Sequence, residues 1–182
     1  PRTSSAASDV YKRQDVNNIS IDSRTVESGN MYVAIKGTLV DGHQFIKQAI
    51  ELGARSIICQ NLPKILASGV VFIKVTDPRE ALALTAANFY DNPSKELQLI
   101  GITGTNGKTS ITTLLFELYN LKQSSAGLIS TLAIQYRERQ FSTTHTTPDA
   151  LTINKHLRDM VDQGVQYCFM EVSSHGIDQK RV

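Results

Sequence analysis

The sequence predicts an α/β protein in two successive blocks, a small α/β domain followed by a second domain with a mostly parallel sheet. Three observations predict it. Short apolar runs alternate with amphipathic stretches, as expected where helices pack onto a sheet. A glycine-rich decapeptide sits between an apolar run and an apolar-periodic segment, the place of a strand-to-helix loop. The segment Tyr90 to Lys95 carries turn chemistry around Pro93, which separates the blocks into residues 15–92 and 93–182.

In the first block, Ile19 to Ile21 and Met31 to Ile35 read as short strands, and Phe45 to Leu52 as a helix. Ser56 to Cys59 and Val70 to Val75 follow as strands, and Pro78 to Tyr90 as a helix. In the second block the order is strand (Leu97 to Thr103), helix (Lys108 to Leu121), strand (Ser125 to Ser130) and hairpin (Leu132 to Ser142). A helix (Asp149 to Gln163) and a strand (Gln166 to Val172) complete it. Residues 1–14 are polar and aperiodic and read as a disordered tail or a sequence scar. The stop at Val182, just after a loop rich in polar side chains, reads as a truncation.

Composition excludes several classes. A net charge of +2 without a Lys/Arg block argues against nucleic-acid or membrane surfaces, so the expected partners are small molecules. No stretch approaches the roughly 18 apolar residues of a membrane span, and no secretory h-region is present, which predicts a cytoplasmic protein. It is read as a monomer. Cys59 and Cys168 each lie in an apolar run and read as core residues.

Gly101-Ile102-Thr103-Gly104-Thr105-Asn106-Gly107-Lys108-Thr109-Ser110 describes a phosphate-binding loop. Glycines let main-chain N–H groups face phosphates, Lys108 supplies a point charge, and Thr109 supplies a hydroxyl for Mg²⁺. The common spacing G-x-x-x-x-G-K-[ST] is not met, because Ile102 stands where the first glycine belongs. A bare capped turn remains the alternative for such a short motif.

Glu171-Val172-Ser173-Ser174-His175 ends a second apolar strand. Ligands gather beyond the carboxyl ends of strands in such sheets, so this cluster, the glycine loop and Thr146-Thr147 are expected to meet in one crevice. Glu171 is the first choice for a cation-binding carboxylate, against an ordinary exposed strand-end acid. His175 reads either as a ligand or as a loop residue that caps or packs. Thr147, before Pro148, reads as a helix N-cap that can also bind substrate. No G-x-S-x-G turn surrounds Ser173, so a hydrolase nucleophile is disfavoured. Asp22 and Asp41 read as turn or cap residues, with His43 at a helix start.

Together these residues resemble the Mur ligase family, ATP-dependent enzymes that build the peptidoglycan precursor. The decapeptide is similar to that family's own loop, T-G-T-N-G-K-[ST]. Asp22-Ser23-Arg24-x-Val26-x-x-Gly29 and Tyr32-Val33-Ala34-x-x-Gly37-x-x-x-Asp41-Gly42-His43 are similar to its UDP-binding domain. Thr146-Thr147-Pro148, Met170 to Gly176 and Gln179-x-Arg181-Val182 resemble the branch that adds the third peptide residue.

The resemblance implies a UDP-binding domain followed by an incomplete ATP-binding domain, with no C-terminal domain. It implies that Ile21, Ser23, Thr38, Leu39 and Val40 hold uridine, and that His145, Thr146, Thr147, Ser173, Gln179 and Arg181 hold the muramoyl-dipeptide. Gly104, Thr105, Asn106, Gly107, Lys108, Thr109 and Ser110 would bind ATP. Thr109 and Glu171 would hold Mg²⁺ with His175 as a further metal ligand, and Lys108, Glu171 and His175 would form the catalytic set. The implied reaction adds meso-diaminopimelate or L-lysine to UDP-N-acetylmuramoyl-L-alanyl-D-glutamate through an acyl phosphate, and the chain alone is expected to be inactive. The dipeptide-adding branch, a folate-type ligase and a nucleotide-binding regulatory module are the alternatives.

Overall fold

The computed structural model describes residues 15–37, 40–143 and 145–182. The expected tail at 1–14, and Thr38 and Leu39 of the expected uridine loop, lie outside the described residues. The chain divides between Pro78 and Arg79 into two compact units. That division falls one helix earlier than the turn around Pro93.

The first unit is a parallel sheet in the order β1 (Ile19–Ser20), β2 (Met31–Val33), β3 (Ser56–Cys59) and β4 (Val71–Lys74). All residues of β2 and β3 are buried, which explains why they read as continuous apolar runs rather than alternating ones. Helix α1 (Ile46–Glu51) turns Ile46 and Ala49 into the core beside Tyr32, Ile57 and Cys59. Two 3-10 turns, Ser23–Thr25 and Gly42–Phe45, open the connections near the site. Each is capped by an aspartate, Asp22 accepting from the Arg24 N–H and Asp41 from the His43 N–H.

The second unit contains α2 (Pro78–Phe89), β5 (Gln98–Ile102), α3 (Lys108–Leu121), β6 (Ala126–Ile129), β7 (Ala133–Tyr136), β8 (Arg139–Ser142), α4 (Ala150–Asp162), β9 (Tyr167–Glu171) and α5 (Ser174–Asp178). Its sheet runs β5-β9-β6-β7-β8. β9 pairs in parallel with both β5 and β6, and β7 and β8 form the antiparallel hairpin. The register sets Glu171 beside Ile102, at the carboxyl ends of both strands.

Helix α4 buries Ala150, Ile153, Leu157 and Met160, one face at helical spacing, against the sheet core of Ile129, Tyr136 and Cys168. Its N-cap is Asp149, which accepts from the Thr152 N–H at 3.0 Å. Thr147 is therefore not the cap. Pro148 is two residues before the first helical residue, and the aspartate with the shorter reach takes the position. α3 packs on β9 through Tyr119, whose ring meets Tyr167 and Phe169 at 4.7 and 5.0 Å. Its apolar periodicity located the helix, yet Leu114 and Leu118 are 64% and 45% exposed. The segment after Ser173, read as a loop, closes into the short helix α5 because the Ser173 hydroxyl accepts from the Gly176 N–H.

The hairpin is tied to α4 by Asp159, which accepts from the Tyr136 hydroxyl at 2.6 Å and from Arg139 at 2.7 Å. The hydroxyl's single hydrogen is spent on Asp159, so the His156 Nδ1, 3.1 Å from the same oxygen, carries a proton and donates. Burial alone raises the Asp159 pKa, but the donors Tyr136 and Arg139 outweigh it and hold the carboxyl below its ordinary value.

Two outcomes follow for stability. Leu157→Ala, removing a fully buried side chain, lowers unfolding free energy by about 2–5 kcal/mol in urea titration. Because the native Asp159 pKa is depressed, its stabilisation is complete above the unfolded value of about 4 and is lost as pH falls through the lower native one. Asp159→Asn should shrink the loss of melting temperature between pH 5 and pH 3; an unchanged acid limb would refute this role.

Candidate functional site

The loop from Thr103 to Gly107 leaves β5 and enters α3, and all of it is exposed. Gly107 sits at φ +81° as the N-cap of α3, in the left-handed region where a side chain is strained. The helix thus starts without a capping side chain, and its first N–H groups face outward beside the loop, an arrangement suited to phosphate oxygens. Lys108 folds back over the loop, its Nζ donating to the carbonyls of Gly104 at 2.7 Å and Thr105 at 3.4 Å. The ammonium is therefore held over Gly104 to Gly107 before any ligand arrives. Ser110 is exposed on the first turn.

Glu171 is not the exposed strand-end acid of the alternative reading. It is 1% exposed and makes no ion pair among the described residues. Its Oε2 accepts from the Thr109 hydroxyl at 3.1 Å and the Thr131 hydroxyl at 3.2 Å, and its Oε1 from the Thr131 N–H at 2.8 Å. A buried carboxylate with hydroxyl and amide donors and no ion pair among the described residues suits a cation. The donor set beside it is hard oxygen, and the Thr109 hydroxyl can give its hydrogen to Glu171 while a lone pair stays open. These residues fit Mg²⁺.

Thr147, also 1% exposed, joins the same constellation. Its hydroxyl donates to the Glu171 carbonyl at 3.0 Å and accepts from the Ser173 N–H at 3.0 Å, with the Ser173 hydroxyl 3.2 Å away. Gly176 belongs here by size, since a Cβ on it would lie 2.9 Å from the Thr147 methyl. Arg181 donates to the Thr147 carbonyl at 2.5 Å and to the Gln179 side-chain oxygen at 2.6 Å. Thr147, Ser173, Gln179 and Arg181, expected as substrate contacts, are therefore brought together, next to Glu171.

Thr146 is half-buried beside them, and His145 and His175 are exposed, His175 on α5. Among the described residues no three of His, Cys, Asp and Glu are grouped as a metal cluster; the hard oxygen donors that lie together are those of Glu171 and Thr109. Sequence reasoning missed Thr131. It follows β6 as an ordinary turn residue, and only the pairing of β6 beside β9 brings it to Glu171.

In the first unit, a cavity of about 780 Å³ lies at the carboxyl ends of β1 and β2. Ile21, Ser23 and Val40 line it, as expected, with Tyr32, Phe45 and Gln48. Ser23 is buried and donates to the Gln48 side-chain oxygen at 3.0 Å, while Tyr32 donates to the Gly42 carbonyl. Burial, with Asp22 and Asp41 nearby, pushes the Tyr32 phenol up to about 12, so it stays a donor. The Arg24 guanidinium beside Asp22 holds that carboxyl below its usual range. An aromatic and aliphatic wall with a few fixed polar groups suits a planar heterocycle.

Thr147→Val keeps the shape of the side chain but leaves the Glu171 carbonyl and the Ser173 N–H unpaired in a buried setting. The expected loss is about 1–3 kcal/mol of unfolding free energy, with Thr147→Ser close to the parent. Equal stability of the two variants would contradict the role given to this hydroxyl.

The chain was compared with known proteins. The family model described as "Mur ligase family, catalytic domain" matches residues 15–90, and "Mur ligase middle domain" matches 102–182. The UDP-N-acetylmuramoyl-L-alanyl-D-glutamate--2,6-diaminopimelate ligase of Phocaeicola vulgatus is 47% identical over 169 residues, 93% of this chain and 35% of that one. The ligase of the same name from Bacteroides fragilis is 48% identical over 168 residues, 92% of this chain and 35% of that one. A solved structure of a ligase of that name superposes with a TM-score of 0.76 at 28% identity, over 93% of this chain and 34% of that one. The chain thus spans about a third of the length of the relatives it matches. Two models of one family cover both of its blocks, and the loop and Glu171 lie in the second: the chain belongs to the Mur ligase family.

Proposed function

We propose that this chain is the part of a peptidoglycan-precursor ligase that holds ATP and UDP-N-acetylmuramoyl-L-alanyl-D-glutamate. The whole protein would join a diamino acid to that substrate, in the cytoplasm where ATP is at hand. One observation carries the reading: the buried Glu171 bonds Thr109, next to the glycine loop, through its side-chain carboxylate and Thr147, which Ser173 and Arg181 in turn contact, through its main-chain carbonyl. A phosphate site and a polar site built on one residue suit a transfer from a nucleotide to a second ligand. The names of the relatives support 2,6-diaminopimelate as the amino acid added.

In the reaction we assign, the side-chain carboxylate of the substrate's D-glutamate attacks the γ-phosphorus of ATP. The new O–P bond forms as the bond to ADP breaks, leaving an acyl phosphate. The amine of the diamino acid then adds to the acyl carbon, and phosphate leaves with its electron pair as the amine loses a proton. A bare carboxylate resists amines at neutral pH, so the first step supplies the leaving group. Mg²⁺, when bound, neutralises phosphate charge. This chain's residues position and balance charge. Gly104 to Ser110 receive the phosphates with the Lys108 ammonium over them, and Glu171 and Thr109 hold the cation, with His175 as a further ligand. Thr146, Thr147, Ser173, Gln179 and Arg181, with His145 beside them, receive the muramoyl-dipeptide. The first unit's cavity takes the uridine through Ile21, Ser23 and Val40, with Thr38 and Leu39, outside the described residues, assigned to the same ligand.

Calorimetric titration tests this. The chain should bind UDP-N-acetylmuramoyl-L-alanyl-D-glutamate and Mg²⁺-ADP independently, and Lys108→Ala should weaken only the nucleotide, by about tenfold or more, the worth of a charged hydrogen bond. Nucleotide binding with no affinity for the UDP-linked substrate would instead indicate a nucleotide-binding module.

A further inference from the structure

Among the described residues Thr109 and Thr131 bond the Glu171 carboxylate, and Thr131 does so twice, once through its main-chain N–H and once through its hydroxyl. Its N–H takes Oε1 at 2.8 Å and its hydroxyl takes Oε2 at 3.2 Å. Each oxygen of the carboxylate is thereby fixed by a different donor, which settles the rotation of the group about its last bond. The turn that presents Thr131 is itself held. Ser130, fully buried, accepts from the N–H groups of Leu132 and Ala133 and donates to the Ala133 carbonyl at 3.0 Å. Thr143, just past β8, donates to the Thr131 carbonyl at 2.7 Å. The turn between β6 and β7 is therefore anchored from both sides, and its donors stay aimed at β9.

We infer that Thr131 is a positioning residue for the cation site, holding the Glu171 carboxylate in the one orientation in which it and the Thr109 hydroxyl face the same cation. The inference rests on the assignment of Glu171 and Thr109 to Mg²⁺. Donors behind a ligating carboxylate act in this way generally, and their loss lowers metal affinity without touching the metal. Thr131 stands in the turn between β6 and β7, outside the glycine loop and outside the cluster around Thr147. The cation site is thus assembled from three separate segments: the loop and α3, β9, and the turn after β6.

The test compares Thr131→Val, which deletes the hydroxyl and keeps the shape and the N–H, with Thr131→Ser, which restores the hydroxyl. ADP affinity is measured with Mg²⁺ and with EDTA, alongside urea unfolding. With the main-chain N–H still in place, Thr131→Val should lose about 3- to 10-fold of the affinity gained from Mg²⁺, less than the full loss of a supporting partner. Its affinity in EDTA should equal that of the parent, and Thr131→Ser should recover the gain to within about twofold of the parent. An unchanged Mg²⁺ gain in Thr131→Val overturns the assignment, as does an equal loss with and without Mg²⁺, which would mark a structural role only. If the parent chain binds ADP with no gain from Mg²⁺, the cation assignment of Glu171 and Thr109 falls first, and the role of Thr131 falls with it.

Discussion

A carboxylate taken out of water without a countercharge costs several kcal/mol unless its oxygens are satisfied, and Glu171 is buried with no ion pair among the described residues. The surrounding architecture answers that cost. α3 brings Thr109 to one side of the carboxylate and the turn after β6 brings Thr131 to the other, while Thr147 takes the main-chain carbonyl of the same residue. Moving any of these elements by the length of a hydrogen bond would leave a buried acceptor open. The constraint therefore reaches beyond one side chain: it fixes where the loop, the hairpin and the segment before α4 stand relative to β9.

The two units use one rule in different chemistries. Both are built on parallel strands, and in both the candidate ligand groups follow the carboxyl ends of those strands, where backbone and loops are free to diverge. In the first unit the cavity is walled by Tyr32, Phe45 and Ile21, with charges held aside by local pairs such as Asp22 with Arg24. His43 does similar structural work there, facing Asp41 at Nδ1 and accepting from the Gln60 N–H at Nε2. In the second unit the site is open and made of hydroxyls, a carboxylate and main-chain N–H groups. Apolar walls suit a base, and oxygen donors suit phosphate and its cation.

Most of the fold was legible in the sequence because its signals are local. Lys108 to Leu121 reads as a helix from the glycine before it and the periodicity within it, and β3 reads from four apolar or small residues in a row. The glycine loop between β5 and α3 was legible for the same reason, as a contiguous motif. What was hidden depends on pairing between distant segments. Thr131 meets Glu171 across 40 residues, and no property of Ser130-Thr131-Leu132 announces it. Thr147 looked like a cap because a threonine before a proline commonly is one, whereas its hydroxyl is claimed by Ser173 and Glu171, residues about two dozen positions later in the chain. The stripe on α3 shows the converse, since periodicity identifies a helix without saying which of its leucines are covered.

The order of strands in the second sheet also bears on how the molecule is made. β9 comes last of the five in the chain yet sits between β5 and β6. Until it inserts, β6, β7 and β8 can form their meander from neighbouring segments, while β5 has no partner strand at all. Sheet closure then requires joining segments more than 60 residues apart, a step whose loop-closure entropy makes it late and slow. The strand that completes the sheet is the one that ends in Glu171. A folding intermediate that retains the meander would thus have neither an aligned β5 nor the Glu171 carboxylate in place, so the candidate site forms only with the whole sheet.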